Sequence, residues 1–248
     1  MSKFALIHAA EPLPTRLLAW AYSVGAPYHA AHGLAVDAPQ ADSQGDFQKE
    51  MLPRDWGIEK RQDLIAQLNR LGHDGHRRRH GMTLRYYAML WRPRVAALRE
   101  ECLAALREGG EDADDMRATL WRLDAVQSNH NNLRQSPLLA FDAARAVMLA
   151  RAGLMLQWLE PAEVWPYLVD VARDVQRSYG SWQDYGTDFV LSRNFWAGNG
   201  QADIFDEVVT ALVEDASSPW QRLPWSTPLA LPESIPDSSA KALSWSLE

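Results

Sequence analysis

Between residues 136 and 196 the apolar positions recur at helical spacing in three successive blocks. Ser136-Pro137 reads as a helix opening, with Ser supplying a cap and Pro a pre-set first turn. At about 100° per residue, Leu138, Phe141, Met148, Leu149, Ala152 and Leu156 then fall on one stripe. Asp142 and Arg145 lie inside that stripe, three residues apart and therefore able to pair. A second helix is predicted from Glu160-Pro161, carrying Val164, Trp165, Leu168, Val171, Ala172, Val175 and Tyr179. Pro166 sits late for a first turn and predicts a kink or a delayed start. Gly180 ends this block, and Ser181 with Asp184 resembles a capping box for a third helix. That helix stacks Trp182, Tyr185, Phe189 and Trp196 on one face, with Arg193 close to the centre of the same face.

The flanks are also helical in pattern. Residues 12–24 read as one short helix, and a Gly-, Pro-, Ala- and His-rich connection follows, reaching to about Arg54. A connection of that length is a covering loop or partly mobile. His8, His29 and His32 are irregularly spaced within this region and read as surface histidines rather than metal ligands. Leu64, Ile65, Leu68 and Leu71 mark a helix stopped by Gly72. In GHDGHRRRHG, His76 and His80 have the four-residue spacing of a zinc pair. Gly72, Gly75 and Gly81 oppose a rigid helix there, so the stretch reads as a solvated basic turn, its arginines facing solvent or a carboxylate-rich neighbour. Residues 82–107 form a long helical pattern that Pro93 breaks near Arg92, with Cys102 on its apolar spine. Two further helices are centred on Leu120 and Val208, and no Gly-rich phosphate loop or internal repeat is present. Prolines from Pro219 onward exclude a continuous helix or a central strand in the tail, where Trp220, Leu223 and Trp225 pin the first part to the body and order falls away beyond Pro232.

This predicts an all-α fold: eight to ten helices packed round the 136–196 unit, a small strand pair being left open in the N-terminal connection or the tail. The boundaries read as an N-terminal helix and loop-rich extension over 1–53, a helical domain over 54–225, and a Pro/Ser-rich tail over 226–248. Composition changes this picture little. With 47% hydrophobic and 23% charged residues in 248, the chain is an ordinary globular one. One cysteine excludes an internal disulfide and suits the reducing cytoplasm. No secretory signal or membrane-length apolar run is recognisable. A net charge of −7 argues against general nucleic-acid binding and favours a basic protein partner.

The strings FDAARAVMLARAG and SYGSWQDYGTDFVLSRNFW, flanked by DWGIEKRQDLIAQLNRLGH and SPWQRLPW, resemble the core and flanking blocks of a bacterial family, domain of unknown function 1266. The matching residues are Asp142, Arg145, Ser181, Trp182, Arg193 and Trp196; Gly180 stands where a second Ser is expected, which leaves the cap intact. The resemblance implies a cytoplasmic bacterial protein and carries no activity with it.

The chemistry-bearing residues are therefore Asp142, Arg145 and Arg193, with Ser181 beside them. As structure, they would be an ion-pair network between helices. As a site, two guanidiniums would grip a phosphate or carboxylate, with Asp142 orienting one of them or acting as base. Asp184 and Asp188 could add carboxylates, but capping accounts for the first. No Ser/His/Asp or Cys/His arrangement is visible, and no metal or cofactor is expected. Two functional readings stand. One is a non-enzymatic protein-binding module, an immunity or adaptor protein for a basic effector, using Trp182, Trp196, Trp220 and Trp225 as aromatic anchors. The other is a small-molecule enzyme or anion-binding protein built on the Asp/Arg cluster.

Overall fold

The computed structural model describes residues 4–39 and 47–230, and among these every regular element is helical. In chain order the helices are α1 (Arg16–Ser23), α2 (Ala26–Ala31), α3 (Phe47–Trp56), α4 (Arg61–His73), α5 (Gly75–Met89), α6 (Arg92–Glu108) and α7 (Ala113–Gln127). After a 3-10 turn (His130–Gln135) come α8 (Ala140–Met155), α9 (Pro161–Ser178), α10 (Trp182–Ala197), α11 (Ile204–Glu214) and the short α12 (Pro219–Arg222). No helix among the described residues is long and apolar enough to cross a membrane.

The axis of the fold is α8. Fourteen of its 16 residues are buried, because α2, α4, α5, α9 and α10 all pack against it. Its alanines make this possible, since small side chains let several helices approach one backbone. Gly153 shows how closely: a Cβ there would sit 2.6 Å from Leu159 Cδ1 and 2.7 Å from Leu64 Cδ2. This main core extends to Trp20 and Tyr22 on α1, Leu52 on α3 and Val208 on α11. A second, smaller core joins Leu84 and Tyr87 on α5, Leu123 and Val126 on α7, and Leu191 and Phe195 on α10. Helix α6 lies against α7, lends the partly buried Val95 and Leu98 to this core and fully buries only Cys102.

Several sequence expectations are corrected by this packing. The described N-terminal helices are not surface loops: α1 packs on α9 and α2 on α8 and α11, inside the main core. The long connection contains α2 and the start of α3, with Pro27 setting the first turn of α2 and Met51 and Leu52 buried in the core. The helix after Ser136-Pro137 starts at Ala140, because Leu138 takes a left-handed φ of +53°. Capping there falls to Asp188 on α10, whose carboxylate accepts the Ala140 N–H and the Ser136 hydroxyl. Helix α9 begins at Pro161 under a complete Glu160/Glu163 capping box, runs through Pro166 and stops at Ser178, before Gly180. The GHDGHRRRHG stretch is no turn; α4 and α5 run through Gly72 and Gly81, separated only by Asp74. The open strand pair is absent among the described residues, and the expected loss of order beyond Pro232 lies outside them.

Helix α1 and the segment after α11 close on an aromatic cluster. Trp182 stacks on Trp220 at 5.4 Å, and Trp20 and Trp225 complete the group at 4.5 and 5.0 Å from Trp182. Trp220 Nε1 donates to Ser23 O and Trp182 Nε1 to Leu223 O, each at 2.9 Å, while the more deeply buried Trp20 Nε1 has no hydrogen-bond partner among the described residues. Gly186 admits the Trp220 ring, which a Cβ would meet at 2.9 Å. The tail is therefore held to the body as far as Leu229, whose carbonyl accepts from Arg173 Nε.

His29, read from sequence as a surface residue, is fully buried and stacked on Tyr22 at 4.5 Å, with no hydrogen-bond partner on either ring nitrogen among the described residues. Burial first, and then the charge of Arg151, push its pKa well below the ordinary imidazole value. His80, also depressed chiefly by burial, titrates at about 4. The unfolded chain therefore binds these protons at a higher pH than the folded one. Their stabilising contribution is complete above about pH 6.5 and is lost as pH falls from there toward the folded values. Thermal unfolding midpoints should drop between pH 7 and 5, and His29→Phe should flatten that slope. An unchanged slope in the variant would exclude His29 as a source of acid sensitivity.

Candidate functional site

Asp142, in the first turn of α8, is 1% exposed and accepts four hydrogen bonds. Two come from the first turn of α5, His76 N–H at 3.1 Å and Arg77 N–H at 2.9 Å. The other two come from Arg77 Nη1 at 3.3 Å and from Arg145 Nη2. A carboxylate at a helix N-terminus satisfies free N–H groups and complements the dipole. Here the cap is lent by a different helix. Arg77 turns back to donate to Leu71 O at 2.5 Å and Gly72 O at 2.6 Å, so it closes the C-terminus of α4 as well. The corner depends on Gly75, which takes φ +53°; a Cβ there would lie 2.0 Å from Asp142 Oδ2. Asp142 therefore orients Arg145 but is too fully engaged to act as a base.

Arg145 is held on three sides. Its Nε donates to Phe141 O at 3.2 Å, its Nη2 meets Asp142, and its guanidinium lies 4.1 Å above the Phe141 ring. The remaining terminal nitrogen makes no hydrogen bond among the described residues, and Arg145 lines a cleft of about 480 Å³. Helices α2, α3, α4, α5, α8, α10 and α11 all contribute to that cleft. Its cations are Arg145, Arg193 and Arg70; its walls are aromatic, chiefly Trp56, Phe141, Trp196 and Phe205. Tyr28 carries a hydroxyl with no hydrogen bond among the described residues, its pKa raised by burial against the lowering charges of Arg145 and Arg193. His76, His32, Met51, Met148 and the Asp55 carboxylate, which pairs with Arg54 at 2.7 Å, complete the lining; burial followed by the charge of Arg145 keeps the His76 imidazole neutral near pH 7.

The expected three-charge network is not formed. Arg193 pairs with Asp203, the cap of α11, and lies 4.9 Å above the Phe205 ring. It shares the cleft with Arg145 but not the carboxylate. Ser181 stands apart as the N-cap of α10, accepting the Asp184 N–H at 3.1 Å. Asp188 is buried among the Ser136 and Tyr179 hydroxyls and the Ala140 N–H; burial raises its pKa, and these donors oppose the shift. Trp196, expected within the buried stripe, is 42% exposed and walls the cleft, because the α10 stripe emerges from the core at its C-terminal end, where Phe195 turns into the second core. Trp182 and Trp220 are buried in the aromatic cluster and Trp225 is half-buried against it, so none offers a free anchor. Arg70 and Trp56 were not singled out as site residues, and His76 and Arg77 were read as part of a solvated basic turn, since nothing in their local spacing points toward α8. Among the described residues no group of three or more His, Cys, Asp or Glu is placed to hold a metal.

The Asp142 clamp, the cleft arginines and most of the walls lie within residues 51–225, which match the family model described as protein of unknown function (DUF1266). The chain belongs to this family. It is also similar to the uncharacterized protein YbeR of Escherichia coli (strain K12), with 24% identity over 149 residues covering 58% of this chain and 56% of YbeR. The chain thus spans little more than half the length of that relative. No solved structure matches.

Removing one partner of a buried pair leaves the other charge uncompensated. Asp142→Asn should therefore cost about 3–5 kcal/mol in urea unfolding. Gly75→Ala should also destabilise strongly, through its left-handed φ and the clash with Asp142. Arg193→Gln, which breaks a partly exposed pair, should cost on the order of 1 kcal/mol. Equal losses for Asp142→Asn and Arg193→Gln would contradict the division between clamp and cleft rim.

Proposed function

We propose that this protein binds a small organic anion in the α8–α10 cleft, with Arg145 and Arg193 holding a carboxylate or phosphate and the aromatic walls covering a flat apolar body. The observation that carries this reading is Arg145: a guanidinium buried to 4% exposure, pre-oriented by Asp142, with donor capacity left facing a cavity. A buried arginine in a fixed orientation loses little freedom when it binds an anion. The cavity volume and its mix of aromatic surface with a few convergent polar groups are those of a small-molecule site. Neutral His76 would accept a hydrogen bond from a ligand hydroxyl. The cytoplasmic setting expected from the lone cysteine belongs to the same proposal.

Tryptophan fluorescence gives the test, since Trp56 and Trp196 both line the cleft. Titration with phenyl phosphate, benzoate and inorganic phosphate should quench it saturably, the aromatic anions binding more tightly. Arg193→Met, which spares the clamp, should raise Kd at least about tenfold, equivalent to about 1.4 kcal/mol. Arg145→Met should do the same. Binding that is indifferent to both substitutions, or absent for all three anions at millimolar concentration, would remove the reading.

One observation keeps the protein-binding alternative. Met82, Tyr86, Met89 and Trp91 are large apolar side chains left exposed along one short stretch of α5 and its exit. Arg85 and Arg92 lie exposed beside them without an ion pair among the described residues, so this face suits an acidic partner rather than a basic one. A stoichiometric partner retained from a host lysate by the native chain and released by Met89→Ser with Trp91→Ser would support it. Retention by that variant would count against this face.

A further inference from the structure

Three side chains far apart in sequence meet where the N-terminal segment crosses the loop between α11 and α12. Asp37 Oδ2 lies 2.8 Å from His8 Nδ1, and His8 Nε2 lies 3.2 Å from Ser217 Oγ. Asp37 is itself fixed, its Oδ1 accepting the Ala9 N–H at 2.9 Å. A carboxylate on Nδ1 holds the imidazole in the tautomer that carries its proton there, leaving the Nε2 lone pair toward the hydroxyl. Nucleophile, base and orienting carboxylate in this relation define a triad by geometry, whatever their order in the chain.

We propose that Ser217, His8 and Asp37 form an acyl-transfer site that hydrolyses small carboxylic esters. Ser217 Oγ attacks the ester carbonyl carbon as its proton passes to His8 Nε2. The carbon–oxygen bond to the alcohol breaks, and the departing alkoxide takes that proton from His8. Water then attacks the acyl-serine, giving its proton to His8. The bond to Oγ breaks and Oγ recovers the proton, releasing the carboxylic acid. Ser217 and His8 are the catalytic residues; Asp37 positions His8.

The surroundings fit this use. The His8 and Asp37 side chains are 30% and 24% exposed, and Ser217 is exposed, so a substrate can reach them. Asp215 Oδ1 accepts both the Ser217 N–H at 2.7 Å and its hydroxyl at 2.8 Å. This fixes the turn that presents Oγ, and rotation about Cβ–Oγ redirects the hydrogen to His8 Nε2. His8 thus faces two carboxylates, Asp37 directly and Asp215 through the serine, and both stabilise the imidazolium formed in the transition state. A cavity of about 280 Å³ shares Asp37 with the triad and is walled by Leu13, Pro219 and Leu223, with Arg16 and Arg222 at its sides. Neither arginine has an ion pair among the described residues, which selects an ester carrying a negative charge. The site shares no residue with the anion cleft.

The test uses the full chain with a fluorophosphonate probe, which labels an activated serine with loss of fluoride, and with p-nitrophenyl acetate and mono-p-nitrophenyl succinate. Mass spectrometry should place the adduct on Ser217, and Ser217→Ala should lose both adduct and turnover without a change in thermal midpoint. His8→Gln should slow labelling by at least about 100-fold, the contribution of a general base. Asp37→Asn should lower kcat with KM and the thermal midpoint unchanged, a split that a merely structural role would not give. The succinate ester should react faster than the acetate, and Arg16→Gln with Arg222→Gln should abolish that preference. An unlabelled Ser217, under conditions that label a serine esterase control, overturns the proposal. Labelling that survives His8→Gln but not Asp215→Asn overturns the assignment of the base.

Discussion

A carboxylate in the first turn of the most buried helix dictates much of this structure. Taking Asp142 out of water costs several kcal/mol unless donors replace the lost hydration. The chain supplies them from two backbone N–H groups of α5 and two guanidiniums. Each donor then constrains something else. The N–H groups fix where α5 begins, Arg77 fixes where α4 ends, and Arg145 is turned toward the cleft. Gly75 follows from the same constraint, since any side chain would occupy the space of the carboxylate.

The second organising feature is the all-round burial of α8. Alanines bring five helices onto one axis, so no single stripe of α8 faces solvent. The polar groups it carries must therefore be paired within the protein or open into an internal cavity. Arg145 does both. The aromatic cluster of Trp20, Trp182, Trp220 and Trp225 joins the N-terminal helix to the C-terminal segment. The same closure carries the loop bearing Ser217 toward His8 and Asp37.

The helical blocks were legible because burial imposes a period on the sequence, as in α9, whose stripe from Val164 to Val175 is buried as its spacing predicts. The Asp142–Arg145 pair was legible for the same reason, being separated by three residues on one helix. The α4–α5 corner was not. Three glycines and a run of arginines read locally as a solvated turn, and only the carboxylate 65 residues downstream makes a helix start there. Arg193 was misassigned to Asp142 because helical phase shows which way a side chain points but not which helix it meets; the partner is Asp203.

What the sequence determined alone is the set of local choices: helix type, the Ser181 cap, the break at Pro93, the pairing of neighbours three residues apart, and family membership through its own blocks. These rest on backbone geometry and short-range contacts, which any window of the chain already contains. Only the tertiary structure decided which helices meet around α8, that Trp196 leaves the core to wall a cleft, and that His29 is buried. It alone set His8 Nε2 3.2 Å from Ser217 Oγ across 209 positions. Such contacts depend on how the whole chain excludes water from one axis, and no local period records that.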